Sequence, residues 1–299
     1  MIIDALQPGE WEAAERRHRS RVESALADHL TRSQRGIAHP VEDFLFQYYS
    51  LRPATLGRWS PGWGTELIGA GAEWSERPGW RATARGAAPD VSALAGRREG
   101  VQWIADLLAA SAGRAPSYGC FGLHEWAMVH RTDRIRHPQL GLRLDPEQVA
   151  AEVEERGTRC THFDAFRFHT VTARPYNHRQ LTRDTQIDHD QPGCLHVGMD
   201  LLKWGLKLGP AAPAELIMDC FALAMEIRWV DMLASPYDLS SLTDRKPIMI
   251  ETPAGRARYV THQQEFVRAA APLRARLLQV YGAVLSELDA PNEDLSPTR

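Results

Sequence analysis

The chain has 299 residues, of which 43% are hydrophobic and 24% charged, and its formal net charge is -3. These values are typical of a globular protein with a sizeable core, and they exclude a surface that attracts nucleic acid over its whole area. The four cysteines (Cys120, Cys160, Cys194 and Cys220) are widely spaced without a C-x-x-C pair, which argues against a disulfide framework and a zinc knuckle.

The amino-terminal segment carries only a short apolar stretch before Pro8 and Gly9. That stretch is shorter than the apolar region of a signal peptide, and no later run is long enough to cross a bilayer. We therefore expect a cytoplasmic protein with no membrane partner.

Residues 10–35 have the pattern of a charged helix with a thin apolar seam. Residues 16–35 contain six arginines against Glu23 and Asp28, which would allow this helix to contact DNA phosphates. The alternative is an ordinary solvated face. Arginine greatly outnumbers lysine throughout the chain, a ratio that the codon bias of a GC-rich genome also produces.

The remaining elements are predicted as helices around one β-like insert. HPVEDFLFQYYS (39–50) is typical of a compact aromatic helix with Pro40 in its first turn. Residues 51–98 are rich in Pro, Gly and Trp, and they predict a small β-hairpin or an irregular β layer. Residues 156–178 fit either a strand or a helix. Further helices are predicted at 98–114, 119–131, 194–208, 213–234 and 256–287, and a short strand at 247–252.

The sequence as a whole predicts a mainly α fold. No polar segment between the helices is long enough to be a clear linker, so we expect a single mostly helical domain over residues 1–287. Residues 51–98 form its β-like insert, and residues 288–299 form a polar tail.

Ionisable residues occur inside four otherwise apolar segments. Burying an unpaired carboxylate costs several kcal/mol, so such residues reach the surface, pair, bind a metal or take part in chemistry. We expect several of them to converge. They are His124 and Glu125 in LHEWAM, His162 and Asp164 in THFDAF, His196 and Asp200 in CLHVGMD, and Asp219, Arg228 and Asp231 in the run from 219 to 238.

Each of these groups also has a purely structural interpretation. His124 would be a hydrogen-bonded core histidine, and His196 with Asp200 would form an exposed i,i+4 contact on a face that Lys203 continues. Arg228 and Asp231, three residues apart, would be an ion pair at the end of a helix.

The functional interpretation is a histidine and carboxylate centre. His124, His162 and His196 are the candidate metal ligands, and zinc or a nonheme iron would suit three imidazoles with one or two acids. A histidine oriented by a carboxylate also serves as a general base. Because G-x-S-x-G, G-x-G-x-x-G and G-x-x-x-x-G-K-[ST] are missing, we expect neither a serine nucleophile nor a nucleotide cofactor.

Five segments carry a resemblance to a known family. HPVEDFLFQYYSLRP, GCFGLHEWAM, CTHFDAFRFHT, QPGCLHVGMDLLKW and IRWVDMLASPYDL resemble a family of actinobacterial proteins labelled 3-methyladenine DNA glycosylase. The resemblance covers about residues 15 to 280.

That resemblance implies hydrolysis of the N-glycosidic bond of alkylated purines in DNA, as in base-excision repair. Such an enzyme flips the damaged base into an aromatic pocket and uses a carboxylate to position water or to stabilise the sugar cation. The arginines of the amino-terminal helix would hold phosphates. The implied catalytic acids are Glu125, Asp164 and Asp200, with His124, His162 and His196 as partners, and the implied binding residues are Trp126, Arg167, Trp204 and Arg228.

Two other classes of function stay open. The same histidines and acids would serve a metal-dependent hydrolase or oxygenase that acts on a small molecule. A helical binding protein without catalysis is the third. Salt-dependent affinity for DNA would favour the glycosylase, and stoichiometric zinc or iron would favour the metalloenzyme. A stable protein with neither property would favour the binding protein.

Overall fold

The computed structural model describes residue 2 and residues 4–290 of the protein. Helices make up 56% of it and strands only 6%, so the predicted mainly α fold with a small β layer is confirmed. Most of the polar tail predicted at 288–299 lies outside the described residues.

The helices of the described part fall into six long ones and six short ones. In chain order they are α1 (Pro8–Gln34), α2 (Phe44–Tyr48), α3 (Pro53–Leu56), α4 (Ala72–Ser75), α5 (Arg98–Ala112), α6 (Leu123–Ala127), α7 (Pro146–Arg156), α8 (Phe163–Phe166), α9 (Gln186–His189), α10 (Leu195–Lys207), α11 (Ala214–Ala234) and α12 (Pro253–Leu288). Single 3-10 turns occupy Ser92–Arg97, Arg174–Tyr176 and Gly209–Ala211.

Helix α11 forms the centre of the main core. Its buried residues lie all around the helix, which is the pattern of a helix enclosed by others. Helices α10 and α12 pack directly against α11, and α5 packs against α12. On α10, Leu195, Met199 and Leu202 are fully packed in this core, and Leu206 at the same helical spacing is half-buried.

Two glycines of α10 set how closely α11 approaches it. A Cβ added at Gly198 would lie 3.0 Å from Cδ1 of Ile227, and one added at Gly205 would lie 2.6 Å from Cδ1 of Ile217. A Cβ at either position would require the facing isoleucine side chain of α11 to shift. The close packing allows polar side chains of α10 and α11 to meet in the core.

A four-stranded sheet covers one end of the helices. Its strands are β1 (Asp4–Leu6), β2 (Thr65–Ile68), β3 (Trp80–Ala82) and β4 (Gly86–Pro89), in the order β1-β2-β4-β3. Strand β1 pairs parallel with β2, and the other pairs are antiparallel. The β layer predicted for residues 51–98 is therefore present, and its hairpin joins β3 to β4. A second apolar cluster, rich in tryptophan, packs against this sheet.

Several predicted elements differ in the structure. The strand predicted at 247–252 is wrong: the segment is irregular, and the backbone N–H of Ile248 donates to the carbonyl of Leu233 at the end of α11. Of the helix predicted at 119–131, only α6 is helical, and it starts after Gly122, whose backbone is left-handed. Of the helix predicted at 39–50, only α2 is helical. Residues 156–178 contain one short helix, α8, and one 3-10 turn. Helix α7, which begins with a capping box, was not predicted.

Among the described residues, no helix combines the length and the apolar character that a membrane crossing requires. All four cysteines are free thiols. Both findings agree with what the composition indicates.

Candidate metal centre

Three ionisable side chains from three helices meet in the core. His124 lies on α6, His196 on α10 and Asp231 on α11, and all three are buried. The rings of His124 and His196 pack edge to face with centroids 4.5 Å apart, and Nε2 of His124 lies 2.8 Å from Oδ1 of Asp231. One potential ligand atom from each residue lies within 4.8 Å of the other two. We call these residues the His-His-Asp triad.

The contacts inside the triad leave one polar atom without a partner. His124 Nε2 and Asp231 Oδ1 lie 2.8 Å apart and form a charge pair. Nδ1 of His196, in contrast, lacks a hydrogen-bond partner among the described residues. An unsatisfied buried polar group costs about 1–3 kcal/mol. A buried imidazole nitrogen without a partner, beside a second histidine and a carboxylate, is an arrangement in which side chains can bind a cation together.

Arg228 fixes the orientation of Asp231. Its Nη1 donates to Oδ2 of Asp231 at 3.2 Å and to Oε1 of Glu125 at 2.6 Å, and its guanidinium stacks on the ring of Phe44. One oxygen of Asp231 is thus anchored while the other faces His124. Carboxylates that bind metals are commonly held in this way by a neighbouring donor.

Burial and mutual charge determine the protonation of the triad. Burial, reinforced by the nearby His124, holds the pKa of His196 well below its usual range, so this ring is neutral at physiological pH. Burial would also lower the pKa of His124, but the Asp231 carboxylate outweighs it and raises that pKa. The pKa of Asp231 is lowered despite burial, chiefly by His124, so the carboxylate is ionised.

A second buried group, which we call the Lys203 cluster, lies beside the triad. It consists of His162, Asp164, Asp200 and Lys203, and the ring of His162 stacks on that of His196 with centroids 5.6 Å apart. The Lys203 ammonium lies 2.8 Å from Oδ2 of Asp164 and 3.1 Å from Oδ2 of Asp200. The two carboxylates therefore already share a cation from the protein itself.

Neighbouring side chains complete the hydrogen bonding of the Lys203 cluster. Tyr49 donates its hydroxyl to Oδ1 of Asp200 at 2.9 Å. Nδ1 of His162 lies 2.9 Å from Oδ1 of Asp190, whose other oxygen accepts from Gln186. Burial would raise the pKa of Asp164, but Lys203 outweighs it and keeps that pKa below its usual value. Asp164 is therefore an ionised carboxylate at neutral pH.

Two cavities with shared lining residues lie next to this region. The inner cavity has a volume of about 10 Å³ and is lined by Glu125, Asp164 and His196 among others. The outer cavity has a volume of about 260 Å³. Phe44, Tyr48 and Arg136 line both cavities, so the two adjoin. A volume near 10 Å³ holds about one water molecule.

Some of the predicted acids and histidines line the inner cavity, and others do not. Glu125, Asp164 and His196 line the inner cavity, whereas Asp200 is covered by Tyr49 and Lys203. The structure brings His124, His162 and His196 into one region. It also overturns the interpretation of His196 and Asp200 as an exposed contact, since both are buried.

The predicted binding residues divide into core and surface. Trp126 has no exposed surface, and its indole N–H donates to the carbonyl of Ala234. Trp204 is also buried, packed edge to face on Trp103. Arg167 is exposed and pairs with Asp164 at 3.1 Å. Arg228 is buried, and its guanidinium forms ion pairs with Glu125 and Asp231 in the core.

Several residues of the centre were not among the predicted site residues. Asp231 was interpreted as part of a structural ion pair, and Lys203, Tyr49 and Asp190 were not proposed for the site. The available signal for Asp231 was its place in the apolar run AMEIRWVDMLA, where a carboxylate needs a partner. Lys203 gave a weaker signal, three residues after Asp200 on the same helix.

The arginines of α1 are largely engaged with neighbouring acids. Arg16 and Arg19 lie near glutamates of the same helix, Arg21 pairs with Asp219, and Arg32 pairs with Glu42. These contacts favour the interpretation of α1 as a solvated, salt-bridged face.

No family model matches the chain, and no curated protein and no solved structure matches it. The likeness to the glycosylase family therefore stays a resemblance on the quoted segments. The chemistry open to this chain is set by the geometry of its buried side chains.

Proposed function

We propose that the protein is a metal-dependent hydrolase of small molecules, with one divalent ion bound by His124, His196 and Asp231. The observation that carries the proposal is the convergence of three buried potential ligand atoms within 4.8 Å of one another, together with Nδ1 of His196, which lacks a hydrogen-bond partner among the described residues. Two imidazoles and one carboxylate are a common ligand set of catalytic zinc, which keeps its fourth position open for water or substrate.

The surroundings of the triad support a hydrolytic role. A zinc ion bound there would supply a water of lowered pKa and would polarise the substrate. His196 lines the inner cavity, which has room for about one water molecule. Asp164 lines the same cavity and is ionised at neutral pH, so it can accept a hydrogen bond from that water and orient it.

Glu125 and Lys203 have supporting roles in this proposal. Glu125 lines the inner cavity, but its Oε1 accepts a hydrogen bond from Arg228 at 2.6 Å, which fixes the carboxylate in place. Lys203 holds Asp164 and Asp200 together and keeps Asp164 ionised. We assign to both residues the positioning of groups that contact the water or the metal.

A nonheme iron oxygenase is the second candidate. The triad offers two histidines and one carboxylate, the ligand set of the facial triad found in mononuclear iron oxygenases. The inner cavity is walled partly by aromatic rings, including Phe44, Tyr48 and Phe168. The identity of the bound metal and its oxygen dependence distinguish the two candidates.

The glycosylase activity implied by the resemblance draws less support from the side chains. Asp200, one of the implied acids, is in contact with Tyr49 and Lys203 and is not among the residues that line the two cavities. Trp126 and Trp204, the implied stacking residues, are buried in the core. A flipped base needs exposed rings and an acid within reach of its sugar.

The test combines metal analysis with three assays on the same preparation. The protein would be assayed on a panel of small esters, amides and lactams, on alkylated DNA for base release, and for oxygen consumption with the same small molecules. We expect stoichiometric zinc and hydrolysis that a chelator removes and added zinc restores. His196→Ala should lose both, whereas His262→Ala, a control near the surface of α12, should keep both.

The alternative outcomes are separable. Hydrolysis that survives chelation and His196→Ala would overturn the proposal. Bound iron with oxygen consumption would select the second candidate instead. Release of alkylated bases by metal-free protein would restore the glycosylase interpretation.

A further inference from the structure

The outer cavity has an unusual balance of charge. No carboxylate lines it among the described residues, and its polar lining consists of His39, Gln47, Arg136, His137 and Gln139 together with the Tyr48 hydroxyl. Arg136 is the lining side chain that keeps a full positive charge at any physiological pH. The cavity therefore presents a cation and several neutral hydrogen-bonding groups.

Arg136 is left without a counter-ion by the protein. No carboxylate oxygen of the described residues lies within 4.0 Å of its guanidinium, whereas Arg131 pairs with Glu154 and Arg143 pairs with Glu251. Its guanidinium lies 4.5 Å over the ring of Phe168, which lines the inner cavity. Its backbone N–H donates to the hydroxyl of Tyr237 at 3.2 Å, which ties this residue of the loop to the core.

The two histidines of the outer cavity do not add charge at neutral pH. Burial, together with the positive charge of Arg228, lowers the pKa of His137 to about 4. Burial also lowers the pKa of His39. Neutral imidazoles and the amides of Gln47 and Gln139 can donate hydrogen bonds to an anion without a strong charge of their own.

The position of Arg136 links anion binding to the metal centre. Arg136, Phe44 and Tyr48 line both cavities, and His196 lines the inner one. A molecule whose charged end lies against Arg136 would therefore direct its other end toward His196. An outer volume of about 260 Å³ has room for a small molecule.

We propose that the substrate is a small molecule with a carboxylate or phosphate group, and that Arg136 binds this anion in the outer cavity, next to the inner cavity that His196 lines. The assignment as substrate rests on the proposed hydrolase, but the anion site itself does not. Arginine binds carboxylates and phosphates through two parallel hydrogen bonds, which would also fix the direction in which the molecule enters.

The test is calorimetric titration of metal-loaded and metal-free protein with benzoate and with inorganic phosphate. We expect the wild-type protein to bind at least one of the two, and Arg136→Gln to weaken that binding at least about 10-fold. Arg134→Gln is the matched control, because Arg134 is exposed on the same loop but does not line either cavity, and it should change the affinity less than about 2-fold. Arg136→Lys should weaken benzoate more than phosphate, since lysine loses the two-pronged geometry.

The outcomes separate the anion site from the hydrolase. Metal content and thermal unfolding, measured on each variant, should equal those of the wild type. If neither anion binds the wild type, or if Arg136→Gln binds as well as the wild type, the anion site is overturned. If the anion binds through Arg136 but no metal-dependent hydrolysis occurs, the anion site stands and the proposed function fails.

Discussion

The triad and the Lys203 cluster are neighbours with nearly the same ingredients. Each combines buried histidine and aspartate side chains, and the rings of His196 and His162 stack on each other between them. They differ in how the negative charge is balanced. Lys203 lies between the two carboxylates of its cluster, whereas the single carboxylate of the triad contacts His124 through Oδ1 and Arg228 through Oδ2.

The difference is the reason why we propose the triad, and not the Lys203 cluster, as the metal site. A carboxylate pair that already has an ammonium between its oxygens has little to gain from a second cation. The triad has ligand atoms in place, one neutral imidazole and an anchored carboxylate, and these are the features that a metal requires. Similar residue composition in two buried clusters therefore does not imply a similar function.

The largest expected effect comes from Asp231→Asn. The change removes the negative charge of the triad while keeping the shape of the side chain, so we expect metal affinity to fall more than about 100-fold. Asp219→Asn is the matched control on the same helix, because Asp219 contacts only surface arginines. Equilibrium dialysis with elemental analysis would measure both variants, and equal metal content in Asp231→Asn and wild type would contradict the assignment.

Lys203→Met would test whether the Lys203 ammonium balances the carboxylates of the Lys203 cluster. Removing the ammonium takes away the cation that Asp164 and Asp200 share, and only Asp164 keeps its contacts with Arg167 and Arg183, so we expect a loss of about 3 kcal/mol in the free energy of unfolding. We also expect the emptied cluster to take up a second divalent ion, which would restore part of that loss. Urea unfolding with and without Mn²⁺ would measure this.

The control for that experiment is Lys207→Met, because Lys207 is exposed on the same helix. It should change stability by less than about 0.5 kcal/mol. If the two lysine variants unfold alike, the ammonium of Lys203 is not what balances its cluster.

The Lys203 cluster also predicts how stability depends on pH. Because the folded-state pKa of Asp164 is lowered, its contribution is present above the unfolded value of about 4 and is lost as the pH falls through the folded value. We expect wild-type stability to fall more steeply below pH ~4 than that of Asp164→Asn. Urea unfolding at a series of acidic pH values would show this, and parallel curves for the two proteins would count against it.

The smallest expected effect is that of Tyr49→Phe. It removes one hydrogen bond to Asp200 while Lys203 remains, so we expect a loss of about 1–2 kcal/mol and an unchanged metal content. Loss of metal from this variant would indicate that the two clusters share ligands, and the distinction drawn between them would fail.

The sequence could predict which segments bury ionisable groups. The apolar stripe of α10 was readable from its spacing, and a histidine within CLHVGMD was a reasonable ligand candidate. The sequence could not predict that His196 is buried beside Asp231. Their contact depends on the close approach of α10 and α11, which Gly198 and Gly205 allow. Helical spacing gives the face of one helix and not its distance from another.

The same limit explains the residues that were interpreted differently. Arg228 and Asp231 are three residues apart on α11, so their ion pair was visible in the sequence, and it exists. The second oxygen of Asp231 contacts His124, which lies far away in the chain, and local spacing carries no information about that contact. The isoleucines of the predicted strand at 247–252 are buried, but α11 and not another strand supplies the hydrogen bond to Ile248.

The most direct test of the metal centre is anomalous X-ray diffraction from crystals of protein purified with its native metal, collected on both sides of the zinc and iron edges. We expect one anomalous peak within about 2.0–2.3 Å of side-chain atoms of His124, His196 and Asp231. A fully occupied structure with no peak there, or with its peak between Asp164 and Asp200, would contradict the assignment.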